Sequence, residues 1–401
     1  MFRIQLHGVI LVGLLAAVGA DWPQFRGPAN SSVAANSRLP ATWDEDTNVA
    51  WRIELPGRGP SSPIVVNDRV YLTATTGVRE DRLLVLCYDA QTGDRRWQRQ
   101  FWATGRIATH DSITGAAPTP ASDGERIYAF FSSNDLICLD LDGHLQWLRG
   151  LSHEHPQSGS DVGMASSPAI VDGVVVVQIE SQGDSFAAGI DTRTGENLWR
   201  IARASQANWS SPIELPGQAG RPTAVLLQSP SGLTAVEPRT GQPLWTLDSG
   251  CASMSSSVCR DRLLLTPMNG LTALRLGDNS DSPEILWDSR RMSPGSPSPI
   301  VYEDRVYALS GAILKCGDLA TGELIWQLRL GGNHWATPVI AGDRMVCINF
   351  DGQVNFIRLD REEGQITGQA SLGQPIHASP AMSGDALYVR SDRYLWKIVE
   401  P

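Results

Sequence analysis

After residue 20 the chain is written in short apolar runs, each cut off by Gly, Asp, Asn or Pro. One stretch reads "SSPIVVND", "RVYLTATT", "RLLVLCYD" and "RRWQRQF" in succession, which predicts four strands joined by tight turns. A later one reads "SPSPIVYED", "RVYALSG", "AILKCGDL" and "ELIWQLRL", the same four-strand sentence. No stretch carries the three-and-four spacing of an amphipathic helix.

The unit recurs. A small residue followed by proline opens it at Pro63, Pro118, Pro168, Pro212, Pro299, Pro338 and Pro380, and "SSSVCR" opens one more with Val258 in the proline's place. These eight marks lie 39 to 55 residues apart. Four strands in a period near 40–45 residues are the signature of a β-propeller blade, so the expected fold is all-β, an eight-bladed propeller of four-stranded antiparallel blades. The last unit has three strands, and residues 49–55 form a strand with no partners before it. The economical arrangement lets that N-terminal strand complete the last blade and close the ring.

A second phrase marks the far end of the unit: an acid, two residues, Thr-Gly, three residues and Trp, at Asp89, Asp191, Glu237 and Asp318. The acid can accept turn N–H groups and the glycine takes a positive φ, so the phrase is a tight turn. The tryptophan then falls on the outermost strand, with a flat surface to set against the adjacent blade. Trp51, Trp97, Trp147, Trp199, Trp245, Trp287 and Trp326 are the expected blade-docking residues. Unit seven has Gly368 near that position, so one joint is expected to be weaker.

This repeat is similar to the tryptophan-docking repeat of quinoprotein dehydrogenases and of BamB-type outer-membrane assembly factors. The lead "DWPQFRGP" followed by "NVAWRIELPGRGPSSP" resembles a group of exported PQQ-like repeat proteins over about residues 21–401. The division expected is a signal peptide over 1–20, a lead segment over 21–48 and the propeller over 49–401.

Composition agrees: 38 Gly, 25 Pro and 13 Trp with 19% charged residues suit strands and turns. Arg3, the apolar run from Val9 to Val18 and the small residues ending at Ala20 read as a secretory signal cleaved before Asp21, giving a periplasmic or secreted protein with no stable membrane insertion. The net charge of −10 argues against nucleic acid as a partner. Cys87, Cys138 and Cys316 fall at equivalent places in different repeats and read as buried thiols, whereas Cys251 and Cys259 stand close enough in sequence to pair.

Candidate chemistry gathers in the loops that lead from each outer strand to the next inner one, all on one face. They hold His110, His153, His155, His334 and His377, with Asp111, Asp161, Asn208 and Asn333 nearby; His144 belongs to the opposite face. Trp209 and Trp335 stand just before inner strands, at the mouth of the central channel. Aromatic walls with a few polar groups are the usual makings of a ligand site. No metal site is expected: His153 and His155 are only two ligands, and Gly277–Ser282 lacks the spacing and final acid of a calcium loop. The resemblance implies a non-catalytic scaffold for an envelope or secreted protein or a glycan, and a monomer is expected. The alternative is a dehydrogenase using PQQ with Ca²⁺ and an acidic base, although the adjacent-cysteine disulfide of such enzymes is absent. A third reading, acid–base chemistry by His110 and Asp111, has no nucleophile motif beside it.

Overall fold

The computed structural model describes residues 21–400 except 41, 44–46, 110–112, 160–162, 219 and 279–281. Residues 1–20, expected to be a signal peptide, together with His110, Asp111, Asp161 and part of Gly277–Ser282 therefore lie outside the described residues. Eight antiparallel sheets follow one another along the chain as the blades of a propeller. Blade 1 is Ile64–Val66, Arg69–Thr76, Arg82–Asp89 and Arg95–Trp102. Blades 2 to 6 cover residues 121–150, 169–202, 213–247, 258–289 and 300–329. Blade 7 is Val339–Ala341, Arg344–Ile348, Gln353–Leu359 and Gly364–Ser371. In blade 8, Val49–Glu54 pairs antiparallel with Tyr394–Ile398, outside Ala386–Arg390 and Ala381–Ser383.

Within a blade the middle strands are buried on both faces, as in Val174–Ile179 and Phe186–Asp191, while the outer strand Asn197–Ala202 alternates toward solvent. The inner strands are only two or three residues long. Two sequence marks move. Pro120, not Pro118, directly precedes the inner strand of blade 2, and in blade 5 the proline's place is taken by Ser257, with Val258 opening the strand. His153 lies not on a strand but on a four-residue helical turn, Leu151–Glu154, with His155 capping its end.

Each outer strand carries a bulge, which in every blade but the seventh lies just before its tryptophan, for example between the pairs Ile190–Asn197 and Gly189–Trp199. The ring then crosses to the turn of the following blade. Trp51 covers Gly93, Trp97 covers Gly143, Trp147 covers Gly195, Trp199 covers Gly241, Trp287 covers Gly322 and Trp326 covers Gly364. The indole N–H of Trp97, Trp147, Trp199 and Trp287 donates to the carbonyl that follows the turn's acid, at 2.7 to 3.1 Å. The acid in turn accepts the next N–H groups, as Asp191 does from Arg193 and Thr194. Trp245 packs in one cluster with Leu274 and Leu276 of blade 5.

The seventh outer strand has Gly368 opposite Phe356, at the register where the other blades carry tryptophan. The joint is nevertheless filled. Trp43, from the lead, is buried and meets Phe356 edge-on with ring centroids 4.5 Å apart. It packs in one cluster with Met382, Leu387 and Tyr388 of blade 8. The sequence expectation of a weak contact misses this side chain, which comes from outside the repeat.

The rest of the lead crosses one end of the channel. Trp22 bridges Val65 of blade 1, the Pro23 carbonyl accepts Ser122 N–H of blade 2, and Arg26 reaches the Ser257 carbonyl of blade 5. Val33–Ala34 then pairs in parallel with Val339–Ala341 as a fifth strand on blade 7. All six cysteines are buried and free, so Cys251 and Cys259 are not joined. Among the described residues no helix is long and apolar enough to cross a membrane.

Candidate functional site

The lead crosses one end of the channel, and toward the other end lies a cup of about 380 Å³ whose lining includes Phe25 of that lead. Its wall is a ring. Each blade contributes one hydroxyl residue, the one just before its inner-strand proline or that proline's substitute: Ser62, Thr119, Ser167, Ser211, Ser256, Ser298, Thr337 and Ser379. The backbone N–H of one ring residue donates to the hydroxyl oxygen of the next. The seven bonds run Ser62 to Thr119, Thr119 to Ser167, Ser167 to Ser211, Ser211 to Ser256, Ser256 to Ser298, Ser298 to Thr337 and Thr337 to Ser379, at 2.9 to 3.1 Å. The eighth joint is spanned by Arg390, whose Nη1 donates to the carbonyl of Ser61 at 3.1 Å and to its hydroxyl.

The ring explains the repeat's opening mark. A short inner strand leaves N–H groups at its entrance with no sheet partner, and a hydroxyl from the neighbouring blade satisfies one of them. Proline at the next position removes a second. In blade 5, where Ser257 retains that N–H, the side-chain oxygen of Gln228 accepts it at 2.8 Å.

Of the residues expected at the site, Trp209, Trp335 and His377 line the cup. Trp209 is held by its indole N–H on the Gly163 carbonyl at 2.9 Å. Trp335, Phe350 and His377 form an aromatic cluster with centroids 4.4 to 5.3 Å apart. Burial lowers the His377 pKa, with Asp392 opposing and Arg58 adding to the effect, and its Nε2 has no hydrogen-bond partner. The imidazole is therefore held neutral at physiological pH.

The other candidates sit elsewhere. His334 is buried behind the wall with Nδ1 on the Gly311 carbonyl at 2.8 Å, and burial lowers its pKa too. Asn208 is buried and donates to the Gln228 carbonyl at 2.8 Å. His153 is exposed, and His155 packs edge-on against Phe186; neither lines the cup. Asn333 borders a side depression shared with Trp335. Among the described residues no three His, Cys, Asp or Glu side chains converge as metal ligands. Sequence reasoning missed the hydroxyl ring and Phe25. The signal for the ring was present in the Ser or Thr before each proline, read only as the start of a strand.

Arg26 is buried with its guanidinium carbon 5.7 Å from the Phe25 ring centroid, and among the described residues its side chain donates hydrogen bonds only to backbone carbonyls: Ser257 at 2.6 Å and Ser256 at 3.5 Å. Burial draws its pKa down to about 9. Arg390 is equally buried, and burial brings it to about 10 against the pull of Asp392 and Tyr88.

The family model for outer membrane protein assembly factor BamB matches residues 30–199, 157–263 and 279–393. Outer membrane protein assembly factor BamB of Burkholderia pseudomallei is 26% identical over 357 residues, covering 83% of this chain and 82% of that protein. A polyvinylalcohol dehydrogenase of Pseudomonas sp is 22% identical, covering 78% of this chain but 58% of the enzyme. Among solved structures, quinohemoprotein alcohol dehydrogenase from Comamonas testosteroni superposes with a TM-score of 0.71 at 14% identity, over 95% of this chain and 80% of that one, a likeness of fold. The repeats, the ring of eight blades and the extent of the family match together make this chain a member of the BamB family.

Proposed function

We propose that this chain is a non-catalytic scaffold of the cell envelope, exported by residues 1–20 with cleavage before Asp21, and that its loop face binds an envelope protein. The observation that carries the reading is correspondence over 82% of the length of a BamB protein. The cup supports it from the side of chemistry. Its described lining is hydroxyls, two indoles, apolar groups and one imidazole, and no hydrogen bond joins that imidazole to a hydroxyl. A nucleophile and its base need such a bond. The test places a photo-crosslinking residue at Val78 or Trp102, both exposed at the loop-face corner of blade 1, and a control at Glu125 on the opposite face. Outer-membrane assembly proteins should be captured from envelope extracts at the first two positions and not at the third. Equal capture from both faces, or adducts without such proteins, would refute the reading.

A second reading, oxidation with PQQ and Ca²⁺, draws on Trp209 and Trp335 in the cup and on the resemblance to polyvinylalcohol dehydrogenase. Calcium requires several oxygen ligands, carboxylates among them, and the chemistry requires an acidic base. The described lining supplies no carboxylate, so the group does not fit the residues described. Titrating PQQ with and without Ca²⁺ against tryptophan fluorescence decides it. Saturable quenching that requires Ca²⁺ and weakens in Trp209→Ala and Trp335→Ala would favour this reading over the first.

A further inference from the structure

The hydroxyl ring has a polarity. Seven of its oxygens already accept a backbone N–H from the neighbouring blade. A hydroxyl that accepts in this way still has its own hydrogen to give. Among the described residues none of the eight gives it to a protein acceptor, so the wall offers the cup donors. Two buried guanidinium groups stand behind that wall. Arg26 follows Phe25 of the lining and hydrogen-bonds the backbone of Ser256, itself in the ring; among the described residues its Nε has no hydrogen-bond partner and no acidic group offsets its charge. Arg390 holds Ser61, next to ring residue Ser62, and its Nε and Nη2 are unpartnered. A buried cation without a counter-ion is costly, and a bound anion is the group that relieves it.

From this we infer that the cup is a binding site for a compact organic oxyanion, a flat apolar body bearing a carboxylate or sulfonate. The charged end sits on the hydroxyl ring, where O–H donors to an anion make the stronger, charge-assisted class of hydrogen bond. The flat body lies against Trp209 and the Trp335–His377 cluster. A volume of about 380 Å³ falls within the range of small-molecule pockets. No metal takes part. The chain's net charge of −10 repels an anion at a distance, and salt screens that repulsion more than it screens the buried arginines. Binding therefore holds or tightens as salt is raised, whereas an anion on surface arginines is lost.

The test uses two fluorescent probes of nearly one shape, 8-anilinonaphthalene-1-sulfonate and its neutral counterpart N-phenyl-1-naphthylamine. The sulfonate should bind the purified chain at one site about tenfold more tightly than the neutral probe. Ala165→Trp, which fills the cup from its lining, should abolish that site. Arg26→Met should bring the two affinities together, and Arg26→Lys should keep them apart. Equal affinities in the parent chain overturn the proposal, as does sulfonate binding that survives Ala165→Trp or falls steeply with salt. If Arg26→Met loses its far-ultraviolet circular dichroism, the parent, Ala165→Trp and Arg26→Lys titrations still decide.

Discussion

At Gly195 the backbone has φ +73°, and a β-carbon there would lie 2.7 Å from the Trp147 ring. The turn needs this glycine twice, for its dihedral and for the space the neighbouring blade's indole occupies. Gly331, at φ +80° with nothing within 4 Å, needs it once. Gly195→Ala should therefore lower stability by about 2–4 kcal/mol and Gly331→Ala by about 1 kcal/mol, read from urea midpoints at constant slope. Gln228 makes a second residue-scale case, because it accepts the N–H that Ser257 has and a proline would lack. Gln228→Ala should cost about 1–3 kcal/mol, and adding Ser257→Pro should recover part of it, a coupling that a double-mutant cycle measures. The turn acids also set a pH dependence. Burial raises the Asp191 pKa, but the N–H groups of Arg193 and Thr194 outweigh it, and the net shift is downward. A folded pKa below the unfolded one gives stability that is present above the ordinary carboxylate range and lost as pH falls through the folded value. Asp191→Asn should flatten that acid limb in thermal melts taken from neutral pH downward.

The outer strand shows how far an element can be read from its letters. Acid, Thr-Gly and Trp spell the turn, its positive φ and the docking ring, because each is a local demand on one residue type. The bulge before the tryptophan is spelled by nothing visible; it is a matter of register between two strands. The same limit applies at blade 7. Gly368 correctly marks a missing ring, but its replacement, Trp43, lies more than 300 residues away in the lead and belongs to no repeat. Pattern reasoning compares units with one another, so it is blind to a side chain that serves one unit only. Trp43→Ala should cost about 3–5 kcal/mol, as much as loss of a docking tryptophan from the repeat, in equilibrium unfolding. The lining of the cup was half legible for a related reason: Trp209, Trp335 and His377 announced themselves by type, while eight serines and threonines became one wall only once the ring brought them together.

Across the whole molecule, the lead ties blades 1, 2, 5 and 7 over one mouth of the channel. Deleting residues 21–32 should leave the ring folded and release the amides of Val65, Ser122 and Ile340, whose acceptors are the carbonyls of Trp22, Pro23 and Ser32. Hydrogen exchange should show those three amides losing protection while the central strands of the blades keep theirs. The seam of the ring has its own consequence, which lies in time. Val49–Glu54 is made early and its partner, Tyr394–Ile398, about 340 residues later. At synthesis rates of roughly 5–20 residues per second, the first strand waits roughly 20–70 s for its mate. For that interval an unpaired, partly apolar strand stands open to any other chain, and the cell must guard a nascent molecule whose finished form seats that strand against Tyr394–Ile398.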